Sequence, residues 1–372
     1  MIEITSTKSF LNLKNELSEL KINSSFLSYD FHSALETSGS VGEKSGWIPF
    51  PIVAKSEGKV VGFMPIYLKE HSYGEYVFDW SWAEAFQKSG LNYYPKMISA
   101  IPFSPITGRR IIADNNDIKR MMVKALEKIL VDHKISSCHI LFPNRQDAAL
   151  FNDMGWLQRE GVQFRWENKG YDNFEQFLTN LSHNKRKKIK QERKKINNLN
   201  IEVTIKQGNL ILDEDIEFFY ACYCNTYMLH NSSPYLTKEF FYQLNKNMSG
   251  KLVFIFAEKE GRRIASALNI ISEQSLYGRY WGSLEYVPSL HFELCYYAGQ
   301  EFCIQNKLKY FEGGAQGEHK LARGFDAFKT YSNHFIANSE FKAAIESFLS
   351  KEKKYMDIYS SELEERSPYK GK

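Results

Sequence analysis

An α/β (α+β) fold made of two copies of one unit, each a mixed β-sheet flanked by helices, is predicted by three features of the sequence. The 372 residues, 43% of them hydrophobic, suffice for two ordinary cores. Two patterns recur about 203 residues apart: Ala54-Lys55-Ser56-Glu57-Gly58 matches Ala257-Glu258-Lys259-Glu260-Gly261, and Tyr73-Gly74-Glu75-Tyr76 matches Tyr277-Gly278-Arg279-Tyr280. After each recurrence comes a stretch with helical periodicity and then a short apolar run.

The first pattern is a β-hairpin, because glycine between two apolar runs supplies a tight turn. The Tyr-Gly-x-Tyr segments read as a third strand. The helix after it places Ile118, Met121, Met122, Ala125, Leu126, Ile129 and Leu130 on one face in the first half, and Phe292, Cys295, Tyr296, Phe302 and Cys303 in the second. Each helix feeds a last strand, residues 139–142 and 310–312. Hairpins joined to a helical crossover imply a mixed sheet. The units are expected at 1–166 and 167–372, with about 50–142 and 252–312 superposing as two copies. The first carries an insertion, 79–113, rich in Trp, Tyr, Phe and Pro. It is a candidate lid or substrate wall, although core packing uses the same aromatics.

Composition excludes several classes. Aromatics make up 15% of the chain, with 27 Phe and 22 Tyr, too many for a disordered or fibrous protein. A net charge of +4 suits anionic ligands but is too small for a dedicated nucleic-acid binder. Cys138, Cys222, Cys224, Cys295 and Cys303 are odd in number and lack C-x-x-C spacing, so neither a disulfide framework nor a metal site is expected. A reducing cytoplasm fits. No apolar run approaches the ~18 residues of a membrane span, so no stable membrane insertion is expected.

Two clusters carry candidate chemistry. Residues 310–325 read Y-F-E-G-G-A-Q-G-E-H-K-L-A-R-G-F. Two carboxylates, an imidazole, an amine and a guanidinium stand among glycines directly after an apolar run, the make-up of a strand-end loop that carries a site. Glu312, Glu318, His319, Lys320 and Arg323 are therefore the first candidates. Lys320 and Arg323 share one helical face, suited to a phosphate or carboxylate. In the second cluster, residues 183–195, eight of thirteen residues are Lys or Arg. Ile189 and Ile196 give it a narrow docking stripe beside a wide cationic face. A solvated helix, an anion site for a phosphorylated ligand and a track for an RNA backbone all use such a face.

Three long segments carry a resemblance: L-S-H-N-K-R-K-K-I-K-Q-E-R, G-R-Y-W-G-S-L-E-Y-V-P-S-L-H-F-E-L-C-Y-Y and E-G-G-A-Q-G-E-H-K-L-A-R-G-F. Over about residues 31–349 the chain resembles the FemAB-like predicted N-acyltransferases of peptidoglycan biosynthesis or recognition. The resemblance implies tandem acetyltransferase-type (GNAT-like) domains and transfer of an acyl or aminoacyl group to a small-molecule or peptidyl amine acceptor. Such chemistry needs a held donor, a neutral amine, a base and donors for the developing oxyanion. The implied oxyanion donors lie on strand backbone around residues 280–282, with Tyr280 and Trp281 lining the site. Glu312 or Glu318 is the expected base, with His319 the alternative. His291 and Glu293 come second, and Lys320 and Arg323 are expected to face the donor.

The donor that the resemblance implies is acyl-CoA or aminoacyl-tRNA. The R/Q-x-x-G-x-G/A loop with which CoA-dependent enzymes cradle pyrophosphate is missing from both halves: neither 282–290 nor 80–92 has two suitably spaced glycines. A tRNA would use the cationic run instead, through Lys185, Arg186 and Lys188. The alternative to an enzyme is a non-catalytic module on the same scaffold, recognising a phosphorylated cell-wall precursor or an RNA.

Overall fold

The computed structural model describes residues 1–314 and 317–370. The chain forms two compact units, one of residues 1–161 with 329–359 and the other of residues 162–328 with 360–372. Among the described residues no helix is long and apolar enough to cross a membrane.

The first unit opens with β1 (Ile2–Ser6), β2 (Trp47–Pro49), β3 (Ile52–Ser56), β4 (Lys59–Met64), β5 (Ile66–Lys69), β6 (Lys96–Ser99), β7 (Ile112–Ala113) and β8 (Ser137–Leu141). β3 and β4 form the expected hairpin, and both turn residues have positive φ, 50° at Glu57 and 81° at Gly58. Pro65 has no N–H to give a neighbouring strand. The chain passes there from a sheet ordered β1-β3-β4-β7 to a set ordered β2-β5-β6-β8. β6 and β8 are parallel, and the helix Asn116–Asp132 makes the crossover between them. Asn115 caps that helix through the Ile118 N–H. Ile118, Met122, Val123, Leu126 and Leu130 are buried against Ile52, Met64 and Ile140. Met121, expected on this face, is instead 42% exposed.

The second unit contains β9 (Leu157–Glu167), β10 (Ile201–Gln207), β11 (Leu252–Lys259), β12 (Arg262–Ser272), β13 (Ser275–Ser283) and β14 (Tyr310–Glu312). They are ordered β10-β11-β12-β13-β14-β9, with every neighbour antiparallel except β13 and β14. In the first unit β1, β3, β4 with β5, β6 and β8 take the same course, again with only the last pair parallel. The strand β15 (Asp326–Ile336) then adds antiparallel to β8, as β9 adds to β14. The hairpins match to the residue: each slips register after an alanine, Ala54 and Ala257, and Glu260 and Gly261 repeat the positive-φ turn at 53° and 71°.

Each unit thus closes with a strand from the other half of the sequence. A single boundary at 166/167 does not divide the chain, because β9 and β15 each run through the division.

The second recurrence does not mark equivalent strands. Tyr277–Tyr280 lies in β13, whereas residues 73–76 form a turn in which Gly74 and Tyr76 have φ of 80° and 64°, values no strand residue adopts. Buried Lys96 pins that turn from inside, meeting Glu75 at 2.8 Å and also Asp79. The counterpart of β13 is β6, inside the segment 79–113 read as an insertion. Residues 93–112 of that segment are mostly core, whereas most of 80–92 is exposed. Beyond the β6–β8 ladder, Gly108 bonds to Phe142 and Asn144. Fully buried Arg110 donates Nε to the Leu141 carbonyl at 2.8 Å. Asp147 fixes this plug, accepting from the Arg110 N–H at 2.8 Å and from Lys119 Nζ at 2.7 Å.

Candidate functional site

In the second unit the parallel pair opens instead of filling. β14 accompanies β13 only over 275–277 against 310–312, and β13 continues to Ser283 alone on that side of the ladder. A cavity of about 280 Å³ lies at this parting. Tyr280 and Trp281 of β13, Glu312 at the end of β14, and His319 and Lys320 of the short helix Glu318–Arg323 all line it, as does His291. The helical segment after β13 widens to a π turn at Glu293–Tyr297. Cys295 and Tyr296 line the cavity from this turn, while Glu293 and Tyr297 engage the helix His183–Asn198.

The electrostatics derive from burial. Desolvation lowers the Lys320 pKa from 10.5 to about 8. His319 is lowered by burial and then by Arg323, Lys320 and Lys188, so it is neutral at pH 7 and able to accept a proton. Its Nε2 lies 2.8 Å from the Tyr296 hydroxyl. His291 falls to about 4, first through burial and then through His319, Lys320 and Arg323. Burial raises Glu312, and Arg165 partly reverses this by donating Nε to it at 2.6 Å. The Cys295 thiol is pushed up by burial and stays protonated. Among the described residues no cluster of His, Cys, Asp and Glu is arranged to hold a metal.

The structure brings together Glu312, His319, Lys320, Tyr280, Trp281 and His291. It places the other candidates elsewhere. Glu318 is a surface carboxylate paired with Arg366 at 2.6 Å, because the chain turns there and directs it outward. Arg323 is 2% exposed and faces Glu192 at 2.7 Å rather than a ligand. Glu293 is held by Arg193 at 2.9 Å. Arg186 lines a shallow groove with Lys187, Lys190 and Lys194 on the cationic helix, Lys185 is half-buried on that helix, and Lys188 is exposed but close enough to depress His319.

Sequence reasoning missed Arg165, Glu192 and Tyr296. Arg165 comes from β9, counted with the other unit, and only the strand swap delivers it. Glu192 was legible in principle, as the lone acid in a basic run and three residues after the docking residue Ile189.

A model of the FemAB-like family, described as peptidoglycan biosynthesis/recognition, matches residues 12–371. The chain belongs to the FemAB-like family. Among solved structures the family member resembles the crystal structure of FemX, 10% identical with a TM-score of 0.56, over 92% of this chain and 100% of that one. It also resembles L-PGS from Bacillus licheniformis, 11% identical with a TM-score of 0.52, over 85% of this chain and 94% of that one. At such identities the likeness establishes the fold alone. No curated protein matches the chain.

Proposed function

We propose that this FemAB-like protein is an N-acyltransferase that moves an aminoacyl group from an aminoacyl-tRNA to an amine of a cell-wall precursor, at the cavity of the second unit. The observation that carries the reading is the convergence of Glu312, His319 and Lys320 where β13 and β14 part. The amine attacks the ester carbonyl, the new C–N bond forms as the C–O bond to the ribose breaks, and the amine's proton is transferred toward the departing hydroxyl. Neutral His319, steadied by Tyr296, serves as base. Lys320 stabilises charge developing on the carbonyl oxygen, and the fixed backbone of β13 supports it.

Two features favour tRNA over CoA. The only glycine of 282–290, Gly282, is packed so closely that a Cβ there would stand 1.9 Å from the Cys222 carbonyl oxygen, so it belongs to helix packing and not to a phosphate cradle. The helix His183–Asn198 meanwhile presents Arg186, Lys187, Lys190 and Lys194 along one groove.

The test is transfer of a labelled amino acid from aminoacyl-tRNA to muropeptide amines, beside parallel reactions with acyl-CoAs. Replacing Lys185, Arg186, Lys187 and Lys188 with Gln should weaken tRNA binding and flatten its salt dependence, each lost single-strand contact removing about 0.7 from the log–log slope. Thermal stability should stay nearly constant, since Lys187 and Lys188 are exposed, Lys185 and Arg186 are half-buried, and charges at a solvated surface contribute little. Transfer from acyl-CoA alone, or an unchanged salt slope, would overturn the tRNA assignment. Precursor binding without transfer from any donor would leave a recognition module.

A further inference from the structure

The basic helix His183–Asn198 has an inner face as well as a cationic one. Ile189, Glu192 and Ile196 are buried on it at spacings of three and four, and a carboxylate at the centre of such a stripe needs partners. Glu192 finds two. It accepts from Arg323 Nη2 at 2.7 Å and from the Tyr297 hydroxyl, one group from the short helix beside the cavity and one from the π turn. Arg323 is shared in the same way. Its guanidinium lies 3.4 Å from the centre of the Phe292 ring, and Nη1 donates to the His319 carbonyl at 2.7 Å. Gln300 holds the Arg323 carbonyl at 2.8 Å.

The forked guanidinium therefore spans from Glu192 to the backbone of His319, one residue before Lys320. Planarity matters here, because two donors on one rigid plane fix the distance between their acceptors, which a lysine cannot do. Arg193, the next residue of the basic helix, grips Glu293 at 2.9 Å and Glu301 at 2.7 Å, so the same helix is tied to the start of the π turn and to the helix that follows it. The polar groups that line the cavity from Tyr296 and His319 thus stand on two elements that share one anchor.

We infer that Glu192 and Arg323 are positioning residues, which act through the His319 carbonyl and the Tyr297 hydroxyl to aim His319 and Lys320 into the cavity, so that the helix carrying the cationic face also sets the geometry of the site. The inference rests on the transferase reading for its kinetic consequence, but the geometry it asserts does not. Neither residue touches the reacting atoms. The role of Arg323 is thereby reassigned from holding a donor to holding the loop.

The test uses the full chain with Glu192→Gln and Arg323→Lys. Glu192→Gln keeps the shape and removes the charge, while Arg323→Lys keeps the charge and removes the fork. Histidine is labelled with 13C at Cε1, the His319 resonance is assigned by its loss in His319→Asn, and it is titrated in wild type and both variants. In Glu192→Gln the uncompensated guanidinium is expected to move the His319 midpoint downward by at least half a pH unit. With aminoacyl-tRNA as donor, kcat should fall at least tenfold in both variants and KM should stay within twofold, a split that a loss of donor binding would not give. Restoring the carboxylate one methylene shorter, as Glu192→Asp, should recover part of kcat.

Folded variants with the wild-type titration and kcat would overturn the inference. So would unfolding of both, which would make the pair a structural requirement only. If the wild type transfers nothing, the transferase reading fails, and the His319 titration in Arg323→Lys, which keeps the charge and removes the fork, still tests the positioning claim: an unchanged midpoint there overturns it.

Discussion

Replacing Lys320 with methionine is expected to stabilise the folded chain below pH 8. The lysine is 6% exposed, and burial takes its pKa from 10.5 to about 8. At about 1.36 kcal/mol per pH unit, a fall of that size means that the fold disfavours the ammonium by about 3 kcal/mol. The sign comes from proton binding. Below pH 8 the lysine is protonated in both states, so the folded state bears the full cost. Between 8 and 10.5 the folded chain has released the proton and the unfolded chain has not, so stability rises with pH across that window. Methionine occupies similar volume without charge. Part of the gain is lost because the ammonium sits 5.7 Å from the Phe164 ring, a contact worth about 0.5–1 kcal/mol. Urea unfolding at pH 7 should therefore show the variant more stable by about 2 kcal/mol. The difference should shrink as pH is raised from 8 to 10.5. A variant no more stable at pH 7, or a gap that does not change with pH, would refute the buried ammonium. The same substitution should abolish transfer, the exchange of stability for function expected at a charged group in a closed site.

Single contacts set other outcomes. Glu312→Gln keeps an oxygen that can accept from Arg165 and removes a charge that burial disfavours, so it should not lower stability at pH 7 in urea unfolding. If Glu312 rather than His319 takes the proton, kcat should fall on the order of 100-fold in this variant while Tyr296→Phe has little effect; the opposite ranking is expected here. Gly282→Ala sets a Cβ 1.9 Å from a helix carbonyl that cannot swing aside as a side chain would, so the loss should reach about 3 kcal/mol or more. An unchanged melting temperature would refute the close approach.

The hairpins were legible in the sequence because their signal is local: a turn with glycine between apolar runs fixes two adjacent strands whatever surrounds them. The strand swap has no such signal, since nothing in 157–167 or 326–336 states which sheet accepts it. The Tyr-Gly-x-Tyr match misled for a related reason. Four residues specify a strand only when their neighbours leave it extended, and Glu75 is drawn inward to Lys96, a partner 21 residues away. Glycines and charges pointed to the segment after a strand, and Glu312, His319 and Lys320 of it line the cavity. Their side-chain directions were not legible, because Glu318 and Lys320 differ only in which way a short helix turns them. Arg323 resembled a ligand-binding arginine in sequence and is a buried one in the fold, since its partner Glu192 is 131 residues away.

Duplication supplies two parallel strand pairs, and a cavity lies where the second of them parts. In the first unit the space beyond β6 and β8 is taken by residues of the chain itself, and Arg110 caps the Leu141 carbonyl there with a buried guanidinium. That charge is retained because Asp147 fixes the surrounding backbone and the remaining guanidinium donors find carbonyls of Arg109 and Ile106. In the second unit the corresponding space is lined by groups that titrate near neutrality or are held neutral, Lys320, His319 and His291. The same topology thus produces a plug in one copy and a cavity in the other. The difference lies in the segment after the fourth strand of each copy: beyond β6 the chain turns back into the gap, and beyond β13 a π turn carries Tyr296 to its edge. The proposed transfer is accordingly assigned to the second parting, where Glu312, His319 and Lys320 line the cavity.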